Sequence, residues 1–200
     1  IASAVKQKAA TLGRTVRIIG VQAENAASYP PSLAAGEPTT IEISPTICDG
    51  ISVARPGTLN FDIIKDTVDE VVTVSDDDTA RALVMLLERA KLVVEPAGAV
   101  GVAAIMAKKV KKTGKTVAIL SGGNIDPLLL QRIVGHGLAA SERYLKLRVM
   151  LPDRPGQLAR TAEIVSEQNA NVVEVLHTRH GLGLDISEVE LRLSVETMGH

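Results

Sequence analysis

The sequence predicts an α/β domain over residues 1–141, an open and mostly parallel sheet covered by helices, followed by a smaller α+β unit of βαββ order over 142–200. In the first part, short β-branched runs are spaced by helical patterns, the arrangement of parallel strands with helices on both faces. From Tyr144 onward, apolar residues alternate with period two, as in strands buried on one face. No proline- or glycine-rich linker separates the two patterns, so the units are expected to be closely coupled.

Each element follows in order. Ile1 to Leu12 is alanine-rich with polar residues at intervals, a helix stopped by Gly13. Arg17 to Val21 reads as a short buried strand. Asn25 to Ala35 reads as a short helix closed by Gly36 and interrupted by Pro30 and Pro31. Gly36 to Pro56 is loop, with Pro38, Pro45, Gly50 and Pro56 as breakers. Val68 to Ser75 is a second strand. Asp76, Asp77 and Asp78 then supply the N-cap and first-turn acids of a helix to about Lys91, where the helix dipole favours carboxylates. Pro96 and Gly98 open a further helix that ends in the lysines of Lys108 to Lys115, a solvated helix end. Thr116 to Leu120 reads as the third strand and Pro127 to Val134 as the helix after it.

In the second unit, Tyr144 to Leu151 alternates as a strand, and Pro152 to Gly156 is a turn and helix start. Leu158, Ala162, Ile164 and Val165 place an apolar stripe on a helix to about Gln168. Val172 to Thr178 and Ile186 to Val195 form an antiparallel hairpin around Gly181, Leu182 and Gly183.

Composition excludes several classes of function. Apolar residues at 46% and charged residues at 22% are globular proportions rather than disordered ones. Lysine plus arginine number 22 against 23 acids, so the surplus of positive charge that nucleic acid requires is missing. Aromatics at 2% leave little for base stacking. A single cysteine, Cys48, rules out an internal disulfide and thiolate zinc sites and fits a reducing cytoplasm. The apolar runs are too short to span a bilayer, so no membrane partner is expected. His136, His177, His180 and His200 lack metal-ligand spacing and read as surface residues, with no metal site. The chain opens at Ile1 inside a helical pattern without a signal peptide, which reads as a fragment or a processed piece.

Ligands of open α/β sheets bind beyond the carboxyl ends of the strands, and three motifs fall at such places. Ser121-Gly122-Gly123-Asn124 directly follows an expected strand. Its glycines would let backbone approach a flat ligand, and Ser121 offers a hydroxyl to a ring atom; equally, a glycine pair there can be a tight turn. Glu95-Pro96-Ala97-Gly98-Ala99 puts a carboxylate at a helix start, where it could be a plain cap. Thr46-Ile47-Cys48-Asp49-Gly50 is a loop motif whose Asp49 could be a turn residue. A nucleotide-binding reading ranks last, because no Gly-x-Gly-x-x-Gly follows any strand.

Taken together with Glu24-Asn25, and in this order and spacing, these motifs resemble the serine/threonine dehydratase family, pyridoxal-phosphate enzymes of fold type II related to tryptophan synthase β. The resemblance covers Ile1 to about Leu138. It implies pyridoxal 5'-phosphate as cofactor, with Ser121 bonded to the pyridine nitrogen and Gly122 and Gly123 against the ring. Asn124, Gly50 and Glu95 are implied to line the same pocket. A neutral hydroxyl partner leaves the ring nitrogen largely unprotonated and the cofactor a milder electron sink, which suits β-elimination. The implied activity is that of a lyase converting L-threonine to 2-oxobutanoate and ammonia. A serine dehydratase or serine racemase relative, acting on L-serine, is the nearest alternative. A non-catalytic, amino-acid-binding regulatory fragment is the alternative of a different class.

The departures from the family pattern are specific. None of the ten lysines lies in the Ser-x-Lys-x-Arg-Gly-type motif of the Schiff-base lysine, and the glycine-rich phosphate loop is absent. Such a loop belongs before the first helix, at which this chain begins, so no catalytic residue is expected here and a missing N-terminal half is expected to supply them. The acid that serves a metal in some relatives, six residues beyond the one matching Glu24, is Pro30 here, so no such metal site is expected.

The second unit resembles an ACT domain, a βαββαβ module that binds small ligands at a dimer interface. The resemblance rests on Asp153-Arg154-Pro155-Gly156-Gln157-Leu158, which otherwise reads as a proline-initiated helix after a turn. It implies an effector site at Asp153, Pro155, Gly156 and Gln157 for a branched-chain amino acid, isoleucine or valine, between subunits of a homo-oligomer. That describes an allosteric, cytoplasmic enzyme of isoleucine biosynthesis, whose ACT module would be truncated at His200.

The first test needs only this chain. Without the lysine and the phosphate loop, the purified 200-residue polypeptide is expected to release no 2-oxobutanoate from L-threonine; measurable release would overturn the reading.

Overall fold

A computed structural model describes residues 1–111, 114–140, 143–180 and 183–197. The chain divides into two compact units, Ile1–Val134 and Gly135–His200. The elements of the first part are α1 (Ala2–Thr11), β1 (Ile19–Ala23), α2 (Tyr29–Ala35), α3 (Thr58–Thr67), β2 (Glu70–Val74), α4 (Asp76–Met85), α5 (Pro96–Met106) and α6 (Pro127–Ala140). β1 and β2 pair in parallel, in register from Ile19 opposite Glu70 to Ala23 opposite Val74. This is the α/β class that the alternating strand and helix patterns imply.

Small residues set the packing of this unit. α5 buries Gly98, Ala99, Val100, Ala103 and Ala104, and it lies against α4, β1 and β2. Ala23, Cys48, Val74, Ala82, Val100, Ala103 and Ala104 form one core cluster, and Ala80, Leu83, Leu86, Val94, Ala99 and Ile133 another. Burying a side chain such as Leu83 contributes about 1.5–3 kcal/mol. α4 starts on a complete capping box: Ser75 Oγ accepts from the Asp78 amide at 3.1 Å, and the Asp78 carboxylate accepts from the Ser75 amide at 3.4 Å. The cap is therefore Ser75 rather than Asp76, and the three aspartates fill the first turn.

Several boundaries differ from expectation for identifiable reasons. The first ladder runs over Ile19–Ala23 rather than Arg17 to Val21, because the Ile18 amide donates to Asp69 Oδ2 at 2.6 Å instead of to a strand. Pro30 and Pro31 lie in the first turn of α2 and start it rather than interrupt it, since no intrahelical N–H bond is needed there. α3 occupies a stretch for which the sequence raised no expectation; its buried Phe61 stacks on Tyr29 with ring centroids 6.4 Å apart. α6 continues beyond Val134 to Ala140, through Gly135 and Gly137.

The expected third strand is a correction. Thr116 to Leu120 joins no β-ladder among the described residues. Its apolar β-branched side chains fit an extended backbone, but a strand also needs a hydrogen-bonded neighbour. The segment instead lies along α5, where a Cβ on Gly101 would come 3.8 Å from Ala118 Cβ and from the Ile119 carbonyl. Val117 is left 86% exposed and Ile119 52%.

The second unit contains β3 (Tyr144–Pro152), α7 (Gln157–Glu167), β4 (Asn171–Thr178) and β5 (Glu188–Glu196). The strand order is β3-β5-β4 with antiparallel pairing throughout, the expected βαββ unit with its hairpin. Gly181 and Leu182 of the expected hairpin loop, and His200, lie outside the described residues. Alternation along β5 divides its faces: Val189, Leu191, Leu193 and Val195 are buried in a core shared with Val149, Leu151, Val165, Ala170 and Val172.

The other face of β5 carries Glu190, only 2% exposed, in contact with Arg148 of β3 and Arg192 of its own strand. Burial pushes the Glu190 carboxyl up, but hydrogen bonds from Arg192 and Arg148 outweigh it and hold it below the usual carboxylate range. A carboxylate whose folded pKa is depressed stabilises the protein fully above its unfolded pKa, about 4.3 for Glu. That stability is lost as pH falls through the lower, folded value. Glu190→Gln is therefore expected to lower the melting temperature at neutral pH, with the deficit closing as the pH drops below about 4. A deficit independent of pH in paired melting curves would contradict this account.

Candidate functional site

Two loops and the start of α5 meet at one place in the first unit. The run after Leu120 crosses α5 at Gly98: a Cβ there would come within 1.5 Å of the Ser121 carbonyl oxygen and 2.6 Å of its carbon. One residue on, the Glu95 amide donates to the Gly122 carbonyl at 3.2 Å. Glu95 is the N-cap of α5, yet its side chain makes no capping hydrogen bond. Its carboxylate instead lies over Gly122, where a Cβ would come within 2.2 Å of Glu95 Oε1. Gly122 also has φ +75, so both backbone conformation and space require glycine.

Gly50 closes the other side. It sits in a helical turn over Asp49–Ile51, and a Cβ on it would lie 3.2 Å from Ala97 Cβ and 3.7 Å from Glu95 Oε1. Asp49 Oδ1 accepts from the Gly50 amide at 2.8 Å and so shapes that turn. A Cβ on Gly123 would stand 3.5 Å from the Val93 carbonyl. The structure thus brings Gly50, Glu95, Ser121, Gly122 and Gly123 together, with Asn124 next along the exposed run. The Ser121 hydroxyl has no hydrogen-bond partner among the described residues, and the residue is exposed.

The loop bearing Gly50 is tied down by Asp76, the first residue of α4. Thr46 Oγ1 donates to Asp76 Oδ1 at 2.6 Å, and the Ile47 amide donates to Asp76 Oδ2 at 3.1 Å. Thr46 Oγ1 in turn accepts from the Cys48 amide at 3.1 Å. Sequence reasoning gave Asp76 only a helix-start role, and nothing in the local pattern points to a partner 30 residues away. Cys48 is fully buried, and burial pushes its thiol up to about 11, so it stays protonated at neutral pH and packs as core.

Glu24 opens a short helical turn and is exposed, while Asn25 Nδ2 donates to the Pro45 carbonyl at 2.7 Å. Among the described residues no group of three or more His, Cys, Asp or Glu side chains could hold a metal ion.

In the second unit, Gly156 caps α7 with φ +92 and no side-chain cap, and Gln157 is the first helical residue. The first N–H groups of a helix have no partner within it and, with the helix dipole, suit an anion. Asp153 Oδ1 lies 3.3 Å from Arg179 Nε, and the Asp153 amide donates to the Ser187 carbonyl at 2.8 Å. Pro155 lies exposed in the turn between them.

Exposed glycine backbone beside a hydroxyl that has no partner among the described residues has the chemistry to meet a flat heteroaromatic group. Comparison with known proteins agrees with that chemistry. Residues 1–122 match the family described as pyridoxal-phosphate dependent enzyme. An L-threonine ammonia-lyase of Geobacter sulfurreducens is 46% identical over 185 residues, 92% of this chain and 46% of that protein. The chain thus spans about half the length of the curated relatives it matches. Among solved structures, the processed form of threonine deaminase isoform 2 from Solanum lycopersicum superposes with a TM-score of 0.59 at 27% identity, over 68% of this chain and 40% of that one. Maize serine racemase superposes with a TM-score of 0.57 at 33% identity, over 65% and 41%.

The crossing at Gly98 is directly testable. Gly98→Ala would push a methyl into backbone that cannot rotate away, and overpacking of this kind costs about 1–3 kcal/mol. Gly101→Ala, one turn along, meets only ordinary contacts at 3.8 Å and should be neutral or slightly stabilising, because alanine favours the helix. Equal melting temperatures for the two variants would remove the crossing as a constraint.

Proposed function

The chain belongs to the family of pyridoxal-phosphate-dependent enzymes, and on that premise we propose that it is the C-terminal portion of an L-threonine ammonia-lyase. The complete protein converts L-threonine to 2-oxobutanoate and ammonia. The observation that carries this reading is the junction of Glu95 with Gly50 and Gly122 beside the unpaired Ser121 hydroxyl.

When bound, pyridoxal 5'-phosphate supplies the electron sink for the pair left when the substrate's Cα proton departs. Ser121 would donate a hydrogen bond from its hydroxyl to the pyridine nitrogen and keep its proton, so that nitrogen would stay largely unprotonated. Gly122 and Gly123 would offer backbone to the ring where side chains would otherwise stand, with Asn124 next to them. Glu95 stands between Gly122 and Gly50 and would set how closely a ring could approach Gly122. A mild sink suffices because the β-hydroxyl leaves as soon as the Cα–H bond is broken. The water lost in elimination would be regained when ammonia is released, so L-threonine would give 2-oxobutanoate and ammonia with no other product. The Schiff-base lysine and the phosphate anchor are assigned to an N-terminal half outside this sequence.

L-Threonine is favoured over L-serine as substrate because the relatives at 46% and 43% identity over 92% of this chain are both named L-threonine ammonia-lyase. The second unit is read as an ACT-type sensor that binds isoleucine or valine at Asp153, Pro155, Gly156 and Gln157 between two copies of the protein. The open amides at the start of α7 support a carboxylate there. Coupling of about 1–3 kcal/mol would shift threonine affinity severalfold. The buried, protonated Cys48 suits a reducing cytoplasm, and among the described residues no helix is long and apolar enough to cross a membrane.

One set of kinetic measurements on the native protein tests this. It should release 2-oxobutanoate from L-threonine, with saturation displaced by isoleucine or valine. Ser121→Ala should weaken cofactor retention and turnover about fivefold while leaving the fold intact, the loss of a single hydrogen bond of about 1 kcal/mol. No keto acid from the native protein would end the reading, and an unchanged Ser121→Ala variant would remove Ser121 from the site.

A further inference from the structure

We infer that Asp76 is a positioning residue for the cofactor pocket, acting through the Thr46 to Gly50 loop. The inference rests on the functional reading above. Asp76 stands at the first position of α4, but the cap of that helix is complete without it, since Ser75 and Asp78 close the capping box. Its carboxylate is turned away to the loop. One oxygen accepts from Thr46 Oγ1 at 2.6 Å and the other from the Ile47 amide at 3.1 Å, while the Thr46 hydroxyl holds the Cys48 amide at 3.1 Å. Three consecutive residues are thereby fixed by one side chain.

The next residues carry that constraint to the site. Cys48 is locked in the core, with its sulfur 3.9 Å from Thr79 Oγ1, one turn further along α4. The Ile51 amide donates to the Cys48 carbonyl at 3.1 Å, which sets the turn holding Gly50. Gly50 then stands close to Ala97 and Glu95: a Cβ there would be 3.2 Å from Ala97 Cβ, a tight contact, and 3.7 Å from Glu95 Oε1. A displacement of about 1 Å in this loop moves Gly50 relative to Ala97 and to the Glu95 carboxylate that lies over Gly122, and misplacements of that size at a reacting centre can cost about a hundredfold in rate. Hydrogen bonds to a charged acceptor are the stronger class, so a carboxylate serves this purpose better than another neutral side chain.

The test uses the native protein carrying Asp76→Ala, Asp76→Asn or Thr46→Val. The readouts are the dissociation constant of pyridoxal 5'-phosphate, the induced circular dichroism of the bound cofactor, amide exchange over residues 47–51, and melting temperature. Asp76→Ala should weaken cofactor binding about tenfold, reduce the dichroic signal and speed exchange at Ile47 and Cys48. Asp76→Asn should recover most of this, because its amide oxygen can still accept from Ile47 and its NH2 can donate to Thr46 Oγ1. Thr46→Val keeps the shape and loses the hydroxyl, so it should fall between them; it also carries the test if Asp76→Ala does not fold.

Variants that melt earlier yet hold the cofactor with native affinity and dichroism would overturn the inference and leave Asp76 a stability residue. An Asn variant as impaired as the Ala variant would overturn it as well, because the bond pattern would then not be what matters. A native protein that binds no pyridoxal 5'-phosphate would instead defeat the functional reading, and this inference with it. That failure appears in the unmodified protein; failure of the inference alone appears only in the variants.

Discussion

The first unit depends on how closely α5 can approach the backbone at Ser121. Helix packing usually keeps axes and neighbouring chains apart by the bulk of their side chains. Here Gly98 removes that bulk where the run before Gly122 crosses, and a single methyl would overlap a peptide carbonyl. The close approach has two results. It lets the Glu95 amide reach the Gly122 carbonyl, which fixes the run to the helix start. It also puts the Glu95 carboxylate over a residue that has no room for a side chain, beside the exposed Ser121. Alanine and valine elsewhere in α5 extend the same principle into the core, so the helix lies tightly on β1 and β2.

Several carboxylates in this protein act as acceptors for nearby donors. Asp69 takes the Ile18 amide and the Lys6 ammonium, and those bonds hold its carboxyl below the usual range. Asp78 is pushed up by burial but brought lower by Arg81 and Ser75. Asp76 serves a loop, and Glu190 lies between two guanidinium groups on a sheet face. In each case a backbone or side-chain donor that would otherwise be unsatisfied is matched by an anion close to a strand start, helix start or sheet interior.

Much of this was legible in the sequence because the relevant signals are local. Period-two alternation marks β3, β4 and β5, and Ser75 with three following aspartates marks α4. The motifs around Gly50, Glu95 and Ser121 were also visible, although only their order and spacing tied them to one place. What was not legible depended on partners distant in sequence. Thr116 to Leu120 has strand composition, but composition says nothing about whether a neighbour is present to bond it. α3 was overlooked because its one decisive residue, Phe61, is recognisable only through its contact with Tyr29. The tie between Asp76 and Thr46 is of the same kind, since an acid in a first helical turn already has a sufficient local explanation.

The extended run before Ser121 has a consequence for how this polypeptide behaves in concentrated solution. Val117 and Ile119 project apolar side chains into solvent from backbone that is in no ladder among the described residues. Exposed extended backbone of that composition is a template onto which another chain can add a strand. Lys109, Lys111 and Lys115 stand shortly before it, and their like charges oppose a second copy approaching in register. Ionic strength therefore sets the balance: at low salt the lysines keep neighbouring molecules apart, while at high salt, with a Debye length of about 3 Å at 1 M, that repulsion is screened and the bare segment is free to associate.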